Sequence, residues 1–152
     1  MGDAGYGAAT PQLGFTPMNS LLLATDADWL FDEVDAALAD EHTSVYRVRA
    51  GRMVLAAARE LNPDLVVLDS QIGNLGGVAT SLALRHEQEM DRLEPLGIIM
   101  LLDRQADVFM AQMARADAWL VKPVNSVRLR RAAAKVRAGE NYFEGMLEEA
   151  SC

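Results

Sequence analysis

Only one cysteine, Cys152 at the last position, occurs in the 152 residues, so no internal disulfide can form. A secreted chain of this size rarely carries a lone thiol, whereas a reducing cytoplasm keeps it free, which makes the cytoplasm the expected location. Cations are scarce as well: 14 Lys and Arg stand against 22 Asp and Glu, for a net charge of -8. Binding nucleic acid means neutralising phosphates with clustered cations, so this balance argues against direct contact with nucleic acid or an anionic membrane. No run nears the roughly 18 apolar residues of a membrane span, and tight runs such as residues 98–102 have strand length. Residues 1–19 contain Pro11 and Pro17 but neither the positive start nor the apolar stretch of a signal peptide, and they read as a disordered tail. With 51% apolar residues, the rest makes one domain able to bury roughly 70% of its unfolded surface.

Beyond the tail, short runs of Val, Leu and Ile alternate with longer stretches whose apolar residues recur at three and four. Residues 20–25 (SLLLAT), 44–48, 65–68 (LVVL), 97–102 and 119–121 predict five strands. Between and after them, five helices are expected. Asp28 is the expected cap of the first, with Leu30, Val34, Ala37 and Leu38 inward, and Val54, Ala57, Ala58 and Leu61 mark the second before Asn62-Pro63. Ala79, Leu82, Ala83, His86 and Met90 align on the third, and Met110, Met113 and Ala114 on the fourth. Leu129, Ala132, Ala133 and Val136 form the stripe of the fifth, which can run on past Gly139 towards Phe143 and Leu147. Strands apolar throughout and joined by helices predict an α/β fold, a three-layer sandwich around a five-stranded parallel sheet of the flavodoxin or receiver-like, doubly wound kind. A functional site in such a sheet belongs at the C-terminal ends of the strands.

Those ends carry Thr25-Asp26, Asp69, Leu102-Asp103 and Lys122-Pro123. Lys122 is one of only two lysines against twelve arginines, so its place before a proline at a strand end is informative. Asp69, Asp26 and Lys122, together with PDLVVLD before the glycine-rich loop and ADAWLVKP at the fifth strand, resemble the receiver domain of two-component response regulators. The resemblance covers residues 20–138 and leaves a short acidic extension, 139–152. It implies that Asp69 is the phosphoacceptor, that Asp26, Asp69 and the Gln71 backbone carbonyl hold Mg²⁺, and that Lys122 pairs with the phosphorylated carboxylate. Gly77, eight residues after Asp69, and Asn74, five after, also match, and Trp119 takes the place of the aromatic switch residue. The chemistry is coherent: a hard dication takes oxygen ligands, and a compact ammonium can follow a phosphoryl oxygen.

Two departures accompany the likeness. Receivers usually carry two adjacent acids after the first strand, where this chain has Thr25-Asp26, so Mg²⁺ binding is expected to be weak. Leu102 replaces the hydroxyl that bonds the phosphoryl group. A hydroxyl bond to a charged group contributes about 1.5–3 kcal/mol, against about 5.5 needed to swing a two-state switch from 1:99 to 99:1. The loop after Leu102 is also shorter than usual, and Gly73 stands where Pro is common.

Thr25 and Asp103 are peripheral candidates. His42, His86 and the cations Arg128, Arg130, Arg131, Lys135 and Arg137 read as ordinary surface or packed residues. No glycine fingerprint, metal cluster or nucleophile with its base points to an enzyme.

The expected function is a stand-alone response regulator. It would accept phosphate on Asp69 from a sensor histidine kinase or phosphotransfer protein and signal to a protein partner through the face made by the fourth helix, fifth strand and fifth helix, where a homodimer is also an option. The alternative is a degenerate receiver that binds a protein or small ligand without phosphorylation.

Overall fold

The structure, a computed structural model, describes residues 19–73 and 76–144. Residues 1–18, Asn74, Met146, Leu147 and Cys152 lie outside the described residues. The elements are β1 (Asn19–Ala24), α1 (Asp28–Leu38), β2 (Thr43–Val48), α2 (Val54–Leu61), β3 (Leu65–Asp69), α3 (Gly76–Glu89), β4 (Gly97–Leu102), α4 (Val108–Met113), β5 (Ala118–Val121), α5 (Ser126–Arg137) and β6 (Tyr142–Phe143).

All neighbours in the sheet are parallel, in the order β2-β1-β3-β4-β5-β6. The side chains of each strand alternate between two cores. Leu22, Val66, Ile98, Met100 and Trp119 pack towards α2, α3 and α4. Leu21, Val67, Ile99, Leu101 and Leu120 pack towards α1 and α5. Every residue of β3 is buried, which is why parallel strands of this kind read as unbroken apolar runs. The winding reverses between β1 and β3, and their C-terminal ends open a crevice at that switch point.

Five departures from the sequence reading have physical causes. The sheet has six strands rather than five, because residues 142–143 pair with Ala118 and Trp119 instead of extending α5. That helix ends at Arg137, and Gly139 follows with φ of +83°, a left-handed turn that suits glycine. Asp28 is the first residue of α1 rather than its cap, and its carboxylate instead accepts hydrogen bonds from Arg47 and Arg49. The inward side of α3 is Gly77, Thr80, Ser81, Leu84 and Glu87, whereas Leu82 and Met90 are exposed and so is His86. Its polar interior is satisfied: Ser81 Oγ donates to the Ala114 carbonyl, and Glu87 lies between Arg59 and Arg92. On α4, only six residues long, Val108 and Ala111 face inward while Phe109, Met110 and Met113 are exposed.

Candidate functional site

Asp69 ends β3 with 3% of its surface exposed, and both carboxylate oxygens are engaged. Oδ1 accepts from Lys122 Nζ at 2.7 Å and from the Gln71 N–H at 3.0 Å. Oδ2 accepts from the Thr25 hydroxyl at 2.7 Å. Register explains the meeting of Thr25 and Asp69: Ala24 pairs with Leu68, so the next residues of β1 and β3 come side by side. Thr25 is fully buried, and its hydroxyl oxygen also accepts the Ala27 N–H at 3.1 Å. Behind it, Arg47 donates from Nε to the Thr25 carbonyl at 3.0 Å, pairs with Asp28 and lies over the Phe31 ring. Nothing in the strand-end pattern announced Arg47, because it lies within β2 and meets the site only through the Thr25 carbonyl beyond the end of β1.

Lys122 bridges two carboxylates. Its Nζ sits 2.7 Å from Asp69 Oδ1 and 2.7 Å from Asp103 Oδ1. Burial works against its charge, but the Asp103 and Asp69 carboxylates outweigh burial and hold the ammonium above the ordinary lysine value. Asp103 is therefore a direct partner of the lysine. Gly77 lets α3 begin tight against this loop: a Cβ there would lie 3.0 Å from the Ser70 Cα and 3.3 Å from the Asp69 carbonyl oxygen.

Asp26 is exposed and makes no hydrogen bond or ion pair among the described residues. With Asp69 and the Gln71 carbonyl it supplies two carboxylates and one neutral oxygen, a complement that suits a Mg²⁺ ion keeping several waters. Among the described residues no group of three or more His, Cys, Asp or Glu is placed to hold a metal alone. Asp26, Asp69 and the Gln71 carbonyl are the oxygen donors that would hold such an ion, and Thr25 brings a hydroxyl where a further acid would add charge.

Leu102 is buried at the end of β4 and lines a cavity of about 130 Å³ with Ser70, Val78, Met100 and Met110. No residue of β4 carries a hydroxyl. The nearby Ser70 hydroxyl is buried without a hydrogen-bond partner among the described residues.

Trp119 is 2% exposed and lies under the C-terminal segment. Its ring stacks on Phe143 with centroids 4.0 Å apart, and its indole N–H donates to the Glu144 carbonyl at 2.8 Å. The Glu144 carboxylate pairs with Arg128, accepts the Val121 N–H at 3.2 Å and accepts the Tyr142 hydroxyl at 3.1 Å. Arg128 thus faces an acid of its own chain and is not a freely solvated helix residue. Burial pushes the Glu144 carboxyl up, but Arg128 and the Val121 N–H outweigh it and leave it below the ordinary value of 4.5. A lowered carboxyl adds stability that is complete above its unfolded pKa and is lost as pH falls through its folded value. Segment 141–144, held by Arg128 with Tyr142 and Arg131 alongside, is therefore expected to leave β5 on acidification below the ordinary glutamate range. The Trp119 indole N–H resonance reports it, with the exposed Trp29 as reference; a Trp119 signal that does not move through that range contradicts the expectation.

The profile of the response regulator receiver domain matches residues 21–134. The transcriptional regulatory protein AfsQ1 of Streptomyces coelicolor is 32% identical over 126 residues, which are 81% of this chain and 53% of that protein. The sensory transduction protein BceR of Bacillus subtilis is 28% identical over 106 residues, 70% of this chain and 44% of that protein. The chain spans about half the length of the curated relatives it matches. Among solved structures, the chemotaxis response regulator CheY4 of Vibrio cholerae superposes with a TM-score of 0.68 at 24% identity, covering 78% of this chain and 98% of that one.

Proposed function

This chain belongs to the response regulator receiver domain family, and on that premise we propose that it accepts a phosphoryl group on Asp69 and passes the change to a protein partner. Receiver domains are signalling modules rather than enzymes, and they work with histidine kinases or phosphotransfer proteins and with downstream effectors. The observation that carries the reading is the buried Asp69 carboxylate with the Lys122 ammonium at 2.7 Å.

In the proposed reaction an Asp69 oxygen forms a bond to phosphorus, while the bond from phosphorus to the donor's nitrogen or oxygen breaks and the donor keeps the electron pair. Asp26, Asp69 and the Gln71 carbonyl would hold Mg²⁺, which when bound would supply charge neutralisation for the transferring group. Thr25 and the Gln71 N–H fix the plane of the carboxylate. Lys122 moves its charge from the carboxylate to a phosphoryl oxygen, with Asp103 keeping the ammonium in place. Since β6 covers the outer edge of β5, the surface left for a partner centres on α4 with its exposed Phe109, Met110 and Met113.

The experiment is intact-mass measurement after incubation with acetyl phosphate and Mg²⁺, for wild type and Asp69→Asn. The expected result is a gain of one phosphoryl group that the variant loses. A specific observation favours the second reading, a module that acts without phosphorylation: both Asp69 oxygens already have internal donors. Absence of any gain in a folded sample supports that reading and counts against the first.

A further inference from the structure

One side chain holds the backbone on both sides of Lys122. Arg128, in the first turn of α5, donates from Nη1 to the Pro123 carbonyl at 2.5 Å and from Nη2 to the Val121 carbonyl at 2.8 Å. Its Nε donates to Glu144 Oε2 at 2.7 Å, and Nη2 also meets Oε1 of the same carboxylate. A guanidinium presents its donors in a rigid planar fork, so it cannot hold these three groups and shift independently of any of them. Glu144 in turn is fixed by the docking of segment 141–144: its N–H donates to the Trp119 carbonyl at 3.1 Å, and the Tyr142 N–H donates to the Asp117 carbonyl at 3.2 Å. Asn141 adds a bond from Nδ2 to the Asp117 carbonyl at 3.0 Å.

We infer that Arg128 is a positioning residue of the phosphoacceptor site, fixing the backbone that carries Lys122, and that docking of segment 141–144 along β5 sets Arg128 through Glu144. The inference gives the proposed Asp69 site a regulator and rests on that reading for its meaning. The physical link itself depends only on the contacts described. A coupling of this kind is reciprocal. Whatever moves Lys122 off Asp69 changes how firmly the segment is docked, and releasing the segment loosens the hold on Lys122. Lys122 has to leave Asp69 Oδ1 if a phosphoryl group arrives there, so the segment reads the state of the site and biases it.

The test uses the full chain and no phosphate, which separates it from the mass experiment. Amide hydrogen exchange is followed at Tyr142 and Glu144 in wild type, Asp69→Asn, Arg128→Lys and the double variant. Asp69→Asn is expected to change exchange at both amides about fivefold or more, in line with ordinary coupling between sites. Arg128→Lys keeps the charge but loses the fork, and in that background the Asp69→Asn effect is expected to vanish.

In the reverse direction, Glu144→Gln is expected to shift the NMR signal of the Lys122 ammonium. This second arm decides the matter if Arg128→Lys releases the segment outright. Unchanged exchange in a folded Asp69→Asn, an effect that persists undiminished in Arg128→Lys, or a Lys122 signal indifferent to Glu144→Gln overturns the inference. A failed mass gain with positive exchange results removes the Asp69 reading and leaves the coupling standing.

Discussion

Thr25→Asp is expected to make the stability of this protein depend on Mg²⁺. The native hydroxyl is fully buried and donates to Asp69 Oδ2 at 2.7 Å, a bond to a charged acceptor. A carboxylate in its place removes that donor and sets two like charges side by side in a buried site, where one must be protonated or the fold must yield. Loss of the charged hydrogen bond alone costs about 1.5–3 kcal/mol, and the repulsion adds to it. The same substitution gives a dication a further ligand beside Asp69 and Asp26. Binding to the folded state at a hundred times the dissociation constant restores about 2.7 kcal/mol. Urea midpoints in EDTA and in millimolar Mg²⁺ are the measurement. The expected pattern is a large Mg²⁺ shift in Thr25→Asp and a small one in wild type; equal midpoints in the variant would show that the site does not gather a metal even with the acid supplied.

Trp119→Ala is expected to cost about 3–5 kcal/mol, the usual range for deleting a buried tryptophan. Typical domains have only about 5–15 kcal/mol in hand. The ring belongs to the core facing α2, α3 and α4, and it also carries the Phe143 stack and the bond to the Glu144 carbonyl. Its removal should therefore lower the melting temperature by roughly 10 °C or more for a chain of this length, and it should free segment 141–144 in the same step. Trp119→Phe is the milder companion, since it keeps an aromatic ring in the core while removing the indole N–H and part of the ring volume, and its melting temperature is expected between those of Trp119→Ala and wild type. A Trp119→Ala variant that melts within a degree or two of wild type would contradict the packing described here.

Much of the fold was legible because a parallel sheet with both faces covered writes each strand as an apolar run, and β1, β3 and β4 are such runs. Tyr142 and Phe143 were not, since two residues carry no period and their pairing with β5 depends on where α5 stops. The face of α3 was misread for a related reason: its interior side holds Thr80, Ser81 and Glu87, polar residues that are satisfied there, Thr80 by the Gly76 carbonyl of its own helix and Ser81 and Glu87 by Ala114 and Arg59 of other segments. The six residues of α4 fill less than two turns, too few to fix which side its methionines take.

At the candidate site, Asp69 and Lys122 stood out because strand ends in this architecture are where side chains converge. The Thr25 bond to Asp69 was invisible, because a hydroxyl finishing a strand reads the same whether it caps a turn or faces a carboxylate. Arg128 read as one more cation on an exposed helix, and only the return of Glu144 beside it reveals a partly buried pair.

The two-residue strand β6 also forms one border of the sheet. A sheet that ended at β5 would offer the free N–H and C=O groups of Ala118–Val121 to any passing strand, an invitation to fibrous self-association. Residues 142–144 use up those groups from within the chain, and a border only two residues long is a poor template for further growth. Truncation before Asn141 would thus threaten colloidal behaviour before it threatened the fold, and concentrated samples of such a shortened chain should cloud where the intact one stays clear.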